Sequence, residues 1–381
     1  MKYNFLKIAS LLMAAVMLFS CGDVTPENTG GENIENGGGA GEQPDDFTKD
    51  LVLVADKTII HANGTDAVTF TVSLGSKVLK EDVIFSDKDG EIINSITDFK
   101  FTTTQVGEYM IRAEYKTKMS ALVKIQAMPM AIPETPVDPK PSSVNFRRKI
   151  LLSYFTGTGC PNCPRVKDEL KKLGEMEGYP EKYVTAVCHS YNEEDPAYFE
   201  GSLPVSLGVV YYPSININLT PSTTNSNATA ANMKTSIDSE LEDDVLAGIS
   251  ANVVYKDGKV IVKAAVKVVE LGKYRIGAWL LEDGIEGRQS GGSQPYHHIH
   301  DQSLRIADSK VSSTDWSGYS LGTLAAGSTT EHVFTMSMKD GWVAENCHVI
   351  VFVTTPSGNN YYVNNVIDVD LNSSVQFDYV K

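Results

Sequence analysis

Cys160 and Cys163, separated by Pro161 and Asn162, form the pair in this sequence whose spacing suits chemistry most directly. Thiols at this spacing form a redox-active disulfide, supply half of a zinc site, or form a structural disulfide. In a redox pair Cys160 would attack and Cys163 would resolve the mixed disulfide. Zinc would need a second ligand pair at comparable spacing, and the sequence has no second C-x-x-C. The redox and structural interpretations both remain open.

The residues around the pair predict the elements that position it. KILLSYFT (149–156) is an apolar, strand-like run that ends at the cysteine loop. Residues 165–176 then space their apolar side chains at helical intervals. A helix N-terminus offers unpaired N–H groups and the positive end of the helix dipole, which favour a thiolate. The outward cysteine, Cys160, is therefore the expected nucleophile if the pair is redox-active.

A second motif, GVVYYPSI (208–215), follows the cysteine pair. Its glycine, proline, small hydroxyl residue and apolar strand, in this order after C-x-x-C, resemble a thioredoxin-like domain. The resemblance implies a cis bond before Pro213 and places Pro213 opposite the cysteines. It also implies a proton-transferring carboxylate six residues before the first cysteine, where this chain has Tyr154. Catalysis by Cys160, Cys163 and Pro213 would therefore lack an evident general base.

The rest of the chain predicts an α+β multidomain protein. Short alternating apolar runs with turn signals lie before and after the cysteine unit, whereas strands and helices alternate within it. Further helices are predicted within 195–207 and over 231–246. The predicted parts are a lipoprotein signal peptide (1–20), a flexible acidic Gly-rich tether (21–48), an immunoglobulin-like β-sandwich (49–128), a Pro-rich linker (129–144), a thioredoxin-like α/β domain (145–247) and a C-terminal β-sandwich (248–381).

The N-terminus predicts export and a lipid anchor. Lys2 and Lys7 precede a short apolar run, and Leu18-Phe19-Ser20-Cys21 resembles a bacterial lipobox. Acyl chains on Cys21 would hold the protein on a bilayer without a transmembrane helix. Outside the cytoplasm a close cysteine pair is expected to be oxidised. Without the signal, 31 basic residues face 48 acidic residues, which disfavours nucleic acid as a partner.

Other candidate groups are His297, His298 and His300. Neutral imidazoles at such close spacing are good metal ligands, but a packed loop explains the cluster equally well. No cofactor is expected. Cys188 and Cys347 lie on predicted strands as buried thiols, with a bridge between them as an alternative.

A family resemblance emerges from several motifs taken together. FTGTGCPNCP (155–164), LLEDGIEGRQ (280–289), YHHIHDQSLR (296–305) and the W-x-x-x-N-C-x-V-x-V-F-V pattern from Trp342 resemble the Omp twenty-eight family of outer-membrane lipoproteins of Bacteroidetes-type bacteria. The resemblance spans residues 145–381 and implies a lipid-anchored outer-membrane protein, facing the periplasm or the surface. It implies no settled activity.

Two functions are consistent with these features. One is a structural or protein-binding envelope component built around a thioredoxin-like domain with a CPNC disulfide. The other is a thiol–disulfide oxidoreductase acting on extracytoplasmic proteins. The first is favoured, because the proton-handling carboxylate is missing.

Overall fold

The computed structural model describes residues 45–380 of the 381-residue chain. The predicted signal peptide, Cys21 and most of the predicted tether lie outside the described residues. Among these residues 43% lie in strands, which form several sheets, and 11% lie in helices. Residues 46–380 form one compact unit. Within the described part of the chain, no helix is long and apolar enough to cross a bilayer.

The elements occur in three successive groups along the chain. The first contains β1 (Leu51–Ala55), β2 (Ile59–His61), β3 (Val68–Leu74), β4 (Lys77–Leu79), β5 (Ile84–Asp87), β6 (Lys100–Phe101), β7 (Gly107–Tyr115), β8 (Lys118–Met119) and β9 (Val123–Met128). The second contains β10 (Ile150–Thr156), α1 (Cys163–Gly174), β11 (Tyr183–His189), α2 (Leu203–Ser206), β12 (Ser214–Ile217), a 3₁₀ helix (Pro221–Thr223) and α3 (Ala230–Glu240). The third contains β13 (Ala247–Lys256), β14 (Lys259–Val268), β15 (Gly272–Glu282), β16 (Ile285–Glu286), a 3₁₀ helix (Pro295–His298), β17 (Ile299–His300), β18 (Ser303–Asp308), β19 (Tyr319–Leu324), β20 (Thr329–Ser337), a 3₁₀ helix (Ala344–Asn346), β21 (Cys347–Ser357), β22 (Asn360–Asp370) and β23 (Ser374–Val375).

The first group builds two sheets around one apolar core. One sheet has the order β1-β3-β4, with β6 also pairing β3, and the other has the order β2-β9-β7-β5, with β8 on β7. Along β3 the side chains of Val68, Phe70 and Val72 are buried while their neighbours Thr69 and Thr71 are exposed. This alternation is what a strand with one face on the core requires.

Strand β10 forms the centre of the second group. It pairs in parallel with β11 and antiparallel with β12, and all seven of its residues are buried. Leu152 and Tyr154 pack in the cluster formed with α1 and α3, whereas Leu151 and Phe155 pack in the cluster that contains Trp279. Both faces of β10 are therefore covered, which explains its continuous apolar sequence.

The sheet that contains β10 continues into the third group. Its order is β12-β10-β11-β18-β15-β21-β22, with β19 also pairing β15, and β11 joins β18 in parallel through Val187 and Ser303. A second sheet, β20-β14-β13-β23, packs against it through a core that includes Ile249, Phe334 and Val351. Strand pairing therefore joins residues on both sides of the predicted domain boundary between residues 247 and 248. The domain boundaries inferred from sequence remain predictions.

The proline-rich residues 129–144 run along the second sheet of the third group. Lys267 Nζ on β14 lies 2.9 Å from Asp138 Oδ2 and also donates to the Pro141 carbonyl at 2.6 Å. Lys263 Nζ lies 2.8 Å from Glu134 Oε2. Lys267 is almost fully buried, so its ammonium group is compensated entirely by this segment and by the nearby Tyr379 hydroxyl.

Two predicted helices differ from the observed ones at their ends. Helix α1 begins at Cys163 rather than 165 because Pro164, which lacks an N–H, fits the first helical turn. Helix α3 ends at Glu240 rather than 246. The acidic run Glu242-Asp243-Asp244 follows at once, and negative charge opposes the negative end of a helix dipole.

Candidate functional site

The cysteine loop connects β10 to α1 and carries the disulfide between Cys160 and Cys163, whose Cα atoms are 5.5 Å apart. The Cys160 amide donates to the Gly157 carbonyl at 3.0 Å, and the Cys163 amide donates to the Cys160 carbonyl at 3.3 Å. A Cβ at Gly157 would lie 2.5 Å from Tyr191 Cβ, so this position accepts only glycine. The local sequence therefore places both cysteines at the N-terminus of α1, as predicted.

Both cysteines are buried, each with 1% of its surface exposed. Pro161 and Asn162 between them are exposed. Residues 284–302, here called the covering segment, lie over the loop. Gly291 has a φ of +70°, and a Cβ there would be 2.2 Å from the Pro161 carbonyl oxygen, which shows how closely this segment approaches the disulfide.

Gln289 is the main polar contact between the covering segment and the cysteine loop. Its Nε2 lies 2.9 Å from the Cys160 carbonyl, 3.1 Å from the Gly157 carbonyl and 3.3 Å from the Thr158 carbonyl. The Ser290 amide donates to the Thr158 carbonyl at 2.7 Å. Gln289 is itself buried, so the loop and the segment satisfy each other's polar groups.

The three histidines of the covering segment hold it in place. His297 Nε2 donates to Asp168 Oδ1 at 2.6 Å, while its Nδ1 accepts from the Ser293 amide at 3.1 Å. His298 Nδ1 accepts from the backbone N–H of Gln289 at 3.0 Å. His300 Nε2 lies 3.1 Å from the Gly287 carbonyl and donates to it.

These separate contacts bear on the metal hypothesis. Among residues 45–380, no group of three or more His, Cys, Asp or Glu side chains is placed to hold a metal ion. The hydrogen bonds of His297, His298 and His300 agree with a packed loop, and the metal alternative stays an untested prediction. Burial raises the pKa of Asp168, but hydrogen bonds from Tyr296 and His297 outweigh it and lower the pKa overall.

Tyr154, at the position of the missing carboxylate, braces the helix instead. Its hydroxyl donates to the Cys163 carbonyl at 2.8 Å, and burial raises its pKa. A neutral phenol held in this way does not accept a proton from a thiol at neutral pH.

Pro213 lies at the end of β10 from which the chain enters the cysteine loop. The Tyr212–Pro213 bond is cis, and Ser214 pairs with Phe155 in the antiparallel register of β12 with β10. Cys188 and Cys347 are both buried and free. Burial raises the pKa of each to about 12, so neither is a reactive thiol.

A cavity of about 360 Å³ lies beside Cys163, between β10 and β11, α1 and the covering segment. His189 and His300 both line it, with their rings in edge contact at 4.7 Å. His189 Nδ1 lies 2.8 Å from Asp195 Oδ2. The sequence did not assign His189, Asp195 or Gln289 to the site; the available signal was His189 at the end of the apolar run KYVTAVCH (182–189), which predicts a buried strand.

Comparison with known proteins shows which family part of the chain resembles. Residues 202–375 match the family model described as Outer membrane protein Omp28. No curated protein matches the chain. The solved structures similar to it include HBP35 of Porphyromonas gingivalis, with 18% identity and a TM-score of 0.50, covering 60% of this chain and 77% of that one.

Two further structures give lower scores. Protein AGR_C_4864 from Agrobacterium tumefaciens has 12% identity and a TM-score of 0.39, covering 61% of this chain and 98% of that one. A domain of the outer membrane lipoprotein Omp28 from Porphyromonas gingivalis has 22% identity and a TM-score of 0.23, covering 34% and 91%. The resemblance drawn from the sequence motifs is confirmed by the family match. Over residues 202–375 this chain is thus similar to the Omp28 outer membrane proteins, and this match supports a location at the outer membrane.

Proposed function

We propose that this protein is a lipid-anchored structural or protein-binding component of the outer membrane. In this proposal residues 145–247 form a thioredoxin-like module between an immunoglobulin-like sandwich (49–128) and a C-terminal sandwich (248–381). The parallel β10–β11 pair, the antiparallel β12 and the helix that starts at the cysteine loop support the first assignment. Two facing sheets built from β1 to β9 support the second.

The observation that carries the proposal is the burial of both cysteines beneath the covering segment. Thiol–disulfide exchange needs a thiolate to reach one sulfur of the bond. Here Gln289 holds the covering segment to the carbonyl groups of Cys160 and Gly157, on the outward side of the loop. The disulfide is therefore a structural bond that fixes the start of α1.

The proposal is tested by reducing the folded protein. A structural bond should resist dithiothreitol until the protein unfolds, with a reduction potential below about −300 mV. Replacing both cysteines with alanine should lower stability by about 2 kcal/mol, the loop-closure value for so short a loop. Rapid reduction of the folded protein at a potential typical of oxidoreductases would contradict the structural role.

Attachment and partners follow from the chemistry of the chain ends and surface. The lipid anchor is proposed to be an acylated Cys21, with palmitate among its acyl chains, exposed once residues 1–20 are removed as a signal peptide. Extracytoplasmic proteins are the proposed partners, because the acidic net charge repels nucleic acid.

A second candidate function, thiol–disulfide exchange with extracytoplasmic proteins, is favoured by one observation. Cys163 lines a cavity that also holds the His189–Asp195 pair, although Cys160 is covered. Cys160, Cys163 and Pro213 would then be the functional residues. Trapping of envelope proteins by the Cys163→Ser variant would favour this function, whereas an untrapped variant would leave the structural role.

A further inference from the structure

The pair formed by His189 and Asp195 has the geometry of an oriented base. Both side chains are buried, and Asp195 Oδ2 accepts from His189 Nδ1 at 2.8 Å. The Asp195 carboxylate also accepts from the amides of Thr158 at 2.6 Å and Ala197 at 2.8 Å. Burial raises the pKa of Asp195, but these hydrogen bonds lower it to about 2. The carboxylate is therefore ionised and fixes the His189 proton on Nδ1.

The other nitrogen of His189 is left with its lone pair. Nε2 is buried and has no hydrogen-bond partner among the described residues. An unpaired buried polar atom destabilises the folded state, so a native structure that retains one calls for an explanation. The cavity of about 360 Å³ that His189 lines is also lined by Cys163.

The sheet places His189 on the face that the cysteine loop covers. His189 pairs with Thr156, the last residue of β10, in the parallel register of the two strands. Tyr154 and Val187, two residues earlier on each strand, pack in the cluster that contains α1. Since alternate residues share a face, His189 points toward the N-terminal end of α1, where Cys163 lies.

We propose that His189, oriented by Asp195, exchanges the proton of Cys163 when the disulfide closes and opens. On closing, the Cys160 thiolate first attacks a disulfide oxidant; the oxidant's sulfur–sulfur bond breaks, a mixed disulfide forms with Cys160, and the other half of the oxidant leaves as a thiolate that takes up the proton lost by Cys160. The Cys163 thiol gives its proton to His189 Nε2, and its sulfur attacks Cys160 Sγ. The new bond joins the two protein sulfurs, and the oxidant's thiolate leaves with the electron pair and takes up a proton. Opening is the reverse, driven by a thiol reductant.

The other charged or titratable groups around the cavity do not replace His189. They are Tyr154 from β10, Lys167 and Lys171 from α1, and Tyr296, His300 and Asp301 from the covering segment. Burial and the neighbouring His189 lower the pKa of His300 to about 4, so it stays neutral. Lys167 donates to the Ile299 carbonyl, and Lys171 pairs with Glu175.

This inference does not depend on repeated exchange with clients. A structural bond closes once and an exchanging bond closes many times, and both steps must remove the Cys163 proton. Resistance of the folded protein to reduction tests the proposed function, whereas the kinetics of closure test the role of His189. The two can therefore fail separately.

The experiment starts from full-length protein reduced in denaturant, refolded under reductant and desalted. Closure is started with oxidised glutathione, quenched with acid and followed by alkylation and mass spectrometry between pH 6 and 9.5. At pH 7 the disulfide of His189→Gln should close about 100-fold more slowly than that of the wild type, the size of a general-base effect. The difference between the two rates should shrink toward pH 9.5, because the Cys163 thiol then ionises without a base.

His348→Gln is the matched control. His348 is also buried and carboxylate-paired, with its Nδ1 2.6 Å from Asp368 Oδ1, but it lies on β21 outside the cavity. The disulfide of His348→Gln should close at the wild-type rate at every pH between 6 and 9.5. The proposal would be overturned if the disulfide of His189→Gln closed more slowly by the same factor at every pH, or as fast as that of the wild type at pH 7. If the reduced chains do not refold, equal closure rates of His189→Gln and the wild type would also overturn it.

A second measurement needs no substitution. In protein labelled with ¹⁵N-histidine, the imidazole ¹⁵N chemical shifts of His189 should differ between the oxidised and the reduced wild type at one pH, because only the reduced form contains the Cys163 thiol. Identical shifts in the two forms would refute the coupling.

Discussion

Substitution of Gln289 tests whether the covering segment controls access to the disulfide. The Gln289 side-chain amide has two hydrogens, so two of its four carbonyl contacts, at 2.9 and 3.1 Å, can be fully formed at once. Each is worth about 1 kcal/mol net, or about 2 kcal/mol together. At 1.4 kcal/mol for each factor of ten, Gln289→Ala should raise the population with an open segment about 30-fold.

The assay is the initial rate of disulfide reduction by excess dithiothreitol under native conditions, quenched by alkylation. If reduction passes through local opening of the segment, the rate should rise by the same factor of about 30. Arg288→Ala, an exposed neighbour on the same segment, should leave the rate unchanged. A folded Gln289→Ala protein reduced no faster than the wild type would refute the view that this segment protects the bond.

Three further outcomes are expected. Lys267→Met should lower the free energy of unfolding, measured in urea, by about 3–5 kcal/mol, because Asp138 would keep a partly buried, unpaired charge. Lys273→Met, at a surface lysine, should change the free energy of unfolding little. Cys21→Ala should release the protein from the membrane pellet to a soluble extracytoplasmic fraction; persistent detergent-phase partitioning would rule out the anchor. Asp195 has a folded pKa of about 2, below its unfolded value of about 3.9, so its contribution to stability is present above pH 4 and lost between about pH 4 and 2. Thermal unfolding should therefore show a steeper acid loss in the wild type than in Asp195→Asn.

The elements that hold the cysteines could be predicted from sequence because their causes are local. An apolar run covered on both faces gives β10, and apolar residues at helical spacing give α1. The cis bond before Pro213 was expected from the motif and is present. The helix ends were less accurate, because capping and local charge, rather than periodicity, determine where α1 starts and α3 stops.

The environment of the disulfide could not be predicted, because it depends on contacts between distant parts of the chain. Gln289 lies 129 residues beyond Cys160, and nothing in its own neighbourhood indicates that its amide contacts the cysteine loop. The three histidines had two equally good explanations from spacing alone. Their separate hydrogen bonds, such as that of His297 with Asp168, involve residues far away in the sequence and could not be read from spacing.

The base beside Cys163 illustrates the same limit. The sequence has Tyr154 where the thioredoxin-like resemblance implies a carboxylate. The structure places another titratable side chain, His189, on the adjacent strand, where it lines the same cavity as Cys163. Pairing between strands, which sequence periodicity does not determine, decides which side chains share that space.

The family motifs acquire a physical meaning from the covering segment. LLEDGIEGRQ and YHHIHDQSLR supplied the resemblance, and together they contain Gln289 and the three histidines that hold the segment over the disulfide. The family match begins at residue 202, so the cysteines lie outside it while the segment that covers them lies within it. The disulfide site is thus built from residues before and after position 202. One continuous sheet joins the two stretches of chain through β11 and β18. Because the C-terminal part supplies the cover, the exposure of the cysteines in residues 145–247 alone would not represent their exposure in the whole protein.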